Sequence, residues 1–115
     1  MKDLKAKKEL KNIYSERDII GGVFVIRNSF NDKCFLDATT DLRGIKNRFE
    51  FAQKTGSCVH MKLQDDWNKH GGDKFIFEVL EELKKSDVQT AEEFKTDIDL
   101  LKTMWLEKLN GKEFY

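Results

Sequence analysis

Short apolar runs occur at three places along the chain, and each predicts a β-strand. Residues 23–26 are a β-branched and aromatic run, and residues 34–38 predict a second short strand. The residues between them, 28–32, are rich in turn formers, so the two strands are expected to form a β-hairpin. Residues 75–80 alternate Phe, Phe and Val with their neighbours, which predicts a buried third strand.

Apolar residues at helical spacing predict the helices between and after these strands. Residues 39–41 are N-cap formers, and apolar residues follow at Leu42 and then at i+3, i+7 and i+10. A further helix is predicted near 61–68, closed by Gly71 and Gly72. The longest helix is predicted from about 90 to 109, where apolar residues recur four, three, four and four apart. Residues 3–17 predict a charged helix with a weak apolar stripe, broken by Gly21 and Gly22.

Composition and charge narrow the class of protein. The chain has 115 residues, which is the length of one ordinary domain, and 21 basic residues balance 21 acidic ones. A net charge of zero argues against a protein that coats nucleic acid and against a polybasic membrane binder. However, residues 1–57 hold 12 Lys or Arg against 8 Asp or Glu, while residues 58–115 hold 9 against 13. The neutral total therefore combines a basic first half with an acidic second half.

The rest of the composition predicts an ordinary domain in a reducing environment. Two cysteines, Cys34 and Cys58, are too few for a disulfide framework or a zinc site, and both are expected to be small buried side chains. No apolar run is long enough to span a membrane, and the N-terminus lacks the apolar core of a secretory signal. A cytoplasmic location and no membrane partner are the resulting expectations.

Motifs for metal binding or covalent catalysis are weak. His60 and His70 are ten residues apart, which is not the spacing of a zinc helix, and His70 suits the C-terminus of a helix without any ligand role. Asp65 and Asp66 open no calcium loop and are expected to be solvated. The residues alone predict a small α/β domain with one short sheet, helices packed on it, and no assigned chemistry.

A set of short motifs resembles the GIY-YIG nuclease family, in the order that the family shows. The resemblance covers roughly residues 21–110. It begins with Gly22-Val23-Phe24, Asn28, Asn31, Lys33 and Phe35-Leu36-Asp37, and continues with Thr40-Asp41-Leu42, Lys62-Leu63-Gln64, Trp67-Asn68-Lys69-His70-Gly71, Phe75 to Glu81 and Trp105 to Leu109. It implies a small α+β fold, a three-stranded antiparallel sheet flanked by helices. Residues 1–20 would add an N-terminal helix and residues 111–115 a C-terminal tail.

The residues that the family uses for catalysis are replaced in this chain. The resemblance implies two tyrosines that activate and position water, an arginine that holds the scissile phosphate, and a glutamate that binds one divalent metal. Here the two tyrosine positions are Phe24 and Phe35, the second motif's glycine is Asp37, the arginine position is Ile45, the position of a family histidine is near Cys58, and the glutamate position is Lys102. Phenylalanine cannot donate or titrate, and lysine repels Mg²⁺.

The favoured hypothesis is a degenerate GIY-YIG nuclease-like domain, catalytically inactive and retained for binding nucleic acid or a protein partner. No cofactor is expected in that case. A basic face would come from Arg27, Lys33, Arg43, Lys46, Arg48 and Lys54, with His60 nearby, although such residues are equally typical of ordinary solubility charge.

Two alternatives remain open. The first is an active, Mg²⁺-dependent DNA endonuclease with relocated residues: Arg43 or Arg48 for the phosphate, Asp99 or Glu107 for the metal, and His60 or Tyr14 in assistance. The second is an unrelated small protein-interaction module.

Overall fold

A computed structural model describes residues 19–115, and the helix predicted at 3–17 lies outside the described residues. The chain forms one three-stranded sheet from β1 (Ile20–Asn28), β2 (Cys34–Thr39) and β3 (Phe75–Lys84). The strand order is β2-β1-β3, and both neighbouring pairs are antiparallel. The expected three-stranded antiparallel sheet is confirmed.

Three α-helices accompany the sheet: α1 (Leu42–Thr55), α2 (Gln64–His70) and α3 (Ala91–Lys108). Their ends follow from local chemistry. The Asp41 carboxylate accepts the backbone N–H of Gly44 at the start of α1, and Gly56 ends that helix in the left-handed conformation, with φ 80°. Thr90 and Glu93 form a capping box at the start of α3. Short 3₁₀ turns at Met61–Leu63 and Gly72–Lys74 flank α2.

The two faces of the sheet are covered by different helices. One face packs against α1 and α2 through an aromatic-rich core of Phe24, Ile26, Phe35, Leu42, Phe49, Ala52, Leu63, Trp67 and Phe75. The other face packs Val23, Val25 and Leu36 against Leu101, Trp105 and Leu109 of α3. β1 is buried on both faces because it is the central strand, with its side chains directed alternately into the two cores.

Two sequence-based expectations about the strands were wrong. Gly21 and Gly22 were expected to precede the first strand as a break, but they lie inside β1, which begins at Ile20. A Cβ at Gly22 would collide with the carbonyl oxygen of Glu81. The absence of a side chain therefore lets β1 approach β3 closely beside the bulge at Val23 and Phe24. β3 extends to Lys84 and is an edge strand, so Val79 is 42% exposed where a buried strand was predicted.

The residues after α3 run beside the outer edge of β2. The backbone N–H of Cys34 donates to Glu113, and that of Tyr115 donates to Cys34. The Tyr115 hydroxyl donates to the Asp66 carboxylate over 2.6 Å and accepts from the Asn28 amide over 3.0 Å. Burial and the Asp66 bond raise the pKa of Tyr115 to about 12, and the same bond lowers the pKa of Asp66. Asp66 is therefore not the solvated carboxylate that its sequence position predicted.

Within residues 19–115, no helix combines the length and the apolar character that crossing a bilayer requires.

Candidate functional site

Phe24 and Phe35 lie on neighbouring strands and on the same face of the sheet. Phe24 of β1 is directly opposite Asp37 of β2, and Phe35 is opposite Ile26. The Phe24 ring is 2% exposed and stacks on Phe77 at 5.0 Å between centroids. Phe35 is 7% exposed, and its ring lies 4.5 Å from that of His60. Both positions thus hold packed rings that lack a hydroxyl group.

Asp37 and Lys102 form an ion pair at the edge of the sheet. The Lys102 ammonium of α3 lies 3.2 Å from Asp37 Oδ1, which also accepts the backbone N–H of Ala38 at 2.8 Å. The two side chains are 38% and 36% exposed. These are the positions where the resemblance places a small glycine and the metal-binding glutamate. A carboxylate and an ammonium have replaced them, and each neutralises the other.

The side chains at this position do not fit a divalent cation. Lys102 is a donor with a positive charge, and Asp37 alone would supply one carboxylate where Mg²⁺ sites use several oxygen ligands. Asp99, one candidate for a relocated ligand, is exposed and pairs with Lys95 of its own helix at 3.0 Å. Glu107 is exposed near the end of α3. Within the described part of the chain, no three His, Cys, Asp or Glu side chains form a group that could hold a metal.

The remaining family-equivalent positions have structural contacts. Ile45 is half-buried and packs against the core between α1 and the sheet. Cys58 is half-buried, and its thiol donates to the carbonyl oxygen of His60 at 3.1 Å. The Nδ1 atom of His60 accepts the backbone N–H of Lys62, so this imidazole caps the 3₁₀ turn. Cys34 is fully buried, which raises the pKa of its thiol.

The candidate basic residues fall into two groups. Arg27 donates to Glu78 at 3.0 Å and lies 3.6 Å from Asp32, and the Lys33 ammonium lies over the Tyr115 ring. Arg43, Lys46 and Arg48 are instead exposed on α1, and no described residue forms a hydrogen bond or ion pair with their side chains. With Lys54, α1 has four basic residues against Glu50 alone. Its net charge of +3 is the largest among the described helices and strands.

The outer face of α1 also contains two residues that sequence reasoning missed. Asn47 and Phe51 follow Arg43 at intervals of four, so the three side chains share one side of the helix. Phe51 is 66% exposed, unlike Phe49, which points into the core. The sequence did contain a signal for these two residues. Both follow Arg43 at intervals of four, and neither belongs to the apolar stripe of α1. Arg43 and Asn47 also border an open groove of about 880 Å³ between α1 and β3, whose lining includes Lys46 and Glu50 of α1 and Phe77 and Val79 of β3.

Among known proteins, the similarity of this chain is to solved structures. No family model matches the chain, and no curated protein does. A solved structure of the catalytic domain of the homing endonuclease I-TevI is similar to it, with a TM-score of 0.57 and 26% identity over 80% of this chain and 90% of that one. A mutant of the same intron endonuclease domain has the same TM-score and identity over 79% and 84%.

This similarity over most of both chains shows that the chain is a nuclease-like domain with the GIY-YIG-like fold.

Proposed function

We propose that this domain has lost the nuclease reaction of its structural neighbour and binds DNA without cutting it. The observation that carries the proposal is the Asp37–Lys102 ion pair. It joins the position of the second motif's glycine to that of the metal-binding glutamate, and its two charges neutralise each other without a metal. A cytoplasmic, reducing setting is part of the proposal and suits the unpaired cysteines.

The loss of several separate contributions supports inactivity. Phe24 and Phe35 pack tightly but cannot transfer a proton to or from an attacking water. Ile45 cannot hold a phosphate, and it already packs against the core. Proton transfer and metal assistance lower the activation barrier independently. A single neighbouring residue therefore could not replace both contributions.

Electrostatics at Lys102 give the strongest physical argument. A divalent cation bound to Asp37 would have to displace an ammonium that is 3.2 Å from the carboxylate and then remain close to it. Like charges at such distances repel by a few kcal/mol even at an effective dielectric constant of about 20. Lys102 therefore opposes the metal that the family's glutamate would attract.

DNA binding is supported by the unpaired cations of α1. Phosphate contacts by lysine and arginine release counterions, and this release provides most of the affinity of non-specific binding. Arg43, Lys46, Arg48 and Lys54 are exposed and are not neutralised by described carboxylates. Because the whole chain is neutral, this affinity should be moderate and strongly dependent on salt.

Two measurements test the proposal. Plasmid nicking is measured with Mg²⁺ or Mn²⁺ against a chelator control, and no cleavage above that control is expected. Duplex binding is measured between about 50 and 200 mM salt for the wild type and for a variant with Arg48→Ala and Lys54→Ala. The slope of log affinity against log salt should fall by about 0.9 for each lost phosphate contact.

Control substitutions at Lys69 of α2 and Lys108 of α3 should leave the slope unchanged. Metal-dependent nicking by the wild type would refute the loss of catalysis. An affinity for duplex DNA that does not change with salt would refute backbone binding.

A further inference from the structure

We propose that α1 is a reading helix, which enters the major groove of duplex DNA and selects base sequence through Arg43, Asn47 and Phe51. This inference rests on the proposed DNA-binding function and adds a site to it. The name "α1 outer face" is used below for Arg43, Asn47, Phe51 and Lys54, which are all exposed and lie along one side of the helix.

The side chains of this face match the chemistry of base edges. Arginine forms two hydrogen bonds with guanine, asparagine forms two with adenine, and apolar groups contact the methyl of thymine. Arg43 and Asn47 form no hydrogen bond through their side chains with any described residue, so their donors and acceptors are available. The Phe51 ring is 66% exposed beside these polar residues, so it is accessible for contact with a thymine methyl.

The size and surroundings of α1 suit this mode of binding. A helix of 14 residues is about 21 Å long, and its diameter of about 10–12 Å matches the width of the major groove. Lys46 and Arg48 are exposed on the two flanks of the α1 outer face, where phosphates line a groove that contains a helix. The buried side of α1, with Leu42, Phe49 and Ala52, fixes the helix on the sheet and presents the outer face rigidly.

Other basic positions are less suited to this role. Arg27 is held by Glu78 and Asp32, and Lys102 is neutralised by Asp37. Glu50 is the one carboxylate of α1 and lies close to the outer face. It reduces attraction to phosphates there, yet a carboxylate can accept the amino group of cytosine. This composition favours selective reading of bases over uniform coating of DNA.

Selection from a pool of duplexes with a randomised central segment tests the inference. The wild-type protein is expected to enrich a short motif. Affinities for the selected duplex and for a scrambled duplex are then measured for Arg43→Lys, Asn47→Ala and Phe51→Ala. Arg43→Lys and Asn47→Ala should each lose roughly 5- to 150-fold of the preference at one base pair, because a bidentate contact is worth about 1–3 kcal/mol of discrimination. Phe51→Ala should lose the preference for thymine at one base pair, because it removes the apolar contact with the methyl group. Arg43→Lys keeps the charge, so its salt slope should equal that of the wild type.

Matched controls are Asn68→Ala on α2 and Leu100→Ala on α3, which remove an exposed amide and an exposed apolar group elsewhere. Both should bind as the wild type does, and thermal unfolding should show that every variant is folded. Enrichment of a motif whose recognition is lost only in the α1 variants would support the inference.

Two results would overturn it while leaving backbone binding intact: salt-dependent binding with no enriched motif, or an enriched motif that the α1 variants still recognise. Failure to bind any duplex would overturn the proposed function itself, and the inference with it.

Discussion

Replacing Lys102 by glutamate should convert the ion pair at the sheet edge into a pair of facing carboxylates. In the native protein the Lys102 ammonium lies 3.2 Å from Asp37. The Lys102→Glu variant would lose this attraction and gain repulsion between like charges, so it should be less stable in the absence of divalent cations. Mg²⁺ or Mn²⁺ should then restore stability, because two carboxylates supply oxygen ligands without an ammonium between them.

The magnitude can be worked from the distance and the exposure. Two unit charges 3.2 Å apart attract by about 5 kcal/mol at an effective dielectric constant of 20. Both side chains are more than one-third exposed, so solvent screening and side-chain ordering reduce the net contribution to about 1 kcal/mol. Lys102→Gln should therefore lower the free energy of unfolding by about 1 kcal/mol, and Lys102→Glu should lower it by about 1 kcal/mol more. Each 1 kcal/mol corresponds to roughly 4–8 °C in melting temperature for a domain of this size.

Urea and thermal unfolding, with and without divalent salt, provide the assay. Sodium chloride of equal ionic strength separates cation binding from general screening. If 10 mM Mg²⁺ is tenfold above the dissociation constant of the new site, the Lys102→Glu variant should gain about 1.4 kcal/mol. The wild type and Lys102→Gln should gain nothing beyond the effect of sodium chloride.

Lys95→Glu is the matched control, because Lys95 forms a more exposed ion pair with Asp99 within α3. Its cost should be about 0.5 kcal/mol or less, with little recovery in Mg²⁺. The reasoning fails if Lys102→Glu is as stable as Lys102→Gln. It also fails if Mg²⁺ stabilises the wild type as much as the variant, since the native ion pair would then not exclude the cation.

Three further substitutions test contacts that hold the fold. Tyr115→Phe removes the bonds to Asp66 and Asn28 and should cost about 1–2 kcal/mol in urea unfolding. This difference from the wild type should shrink as pH rises from 10 to about 12, because the raised pKa of Tyr115 adds stability only while the phenol is protonated. It should also shrink as pH falls through the lowered pKa of Asp66, because protonation of the carboxylate weakens the bond. A difference independent of pH would contradict the assignment. Gly22→Ala should cost about 2–3 kcal/mol, since its methyl group meets the Glu81 carbonyl oxygen, and a loss below about 0.5 kcal/mol would show that the strands adjust freely. Thr90→Ala should cost about 1 kcal/mol by breaking the capping box, whereas Thr103→Ala on the exposed side of the same helix should change little; equal effects would exclude a special role for the cap.

Much of the fold could be predicted from local sequence, because helix and strand periods depend on near neighbours. Apolar spacing located α1 and α3, and the turn-rich segment between two short apolar runs located the β1–β2 hairpin. The first and last residues of the helices and strands were harder to predict. Gly21 and Gly22 suggested a break, but a pair of glycines also suits a strand that approaches its neighbour closely, and only the position of Glu81 distinguishes the two.

The candidate site was predictable in its chemistry and unpredictable in its contacts. The missing hydroxyl groups at Phe24 and Phe35 and the positive charge at Lys102 are properties of the residue types alone. Their consequence depends on packing. Arg27 and Lys33 read as available cations in the sequence, but they are engaged by Glu78 and by the Tyr115 ring, which lie about 50 and 80 residues further along the chain.

The order of the elements, the likeness to a nuclease fold and the replacement of the residues that the resemblance assigns to catalysis could all be inferred from residue types and their spacing. The ion pair between Asp37 and Lys102, 65 residues apart, became visible only in the folded chain, as did the unpaired cations of α1 beside Asn47 and an exposed Phe51. The difference lies in the range of the interactions. Periodicity and capping act within a few residues, whereas charge pairing depends on how α3 crosses the sheet and which strand edge it reaches.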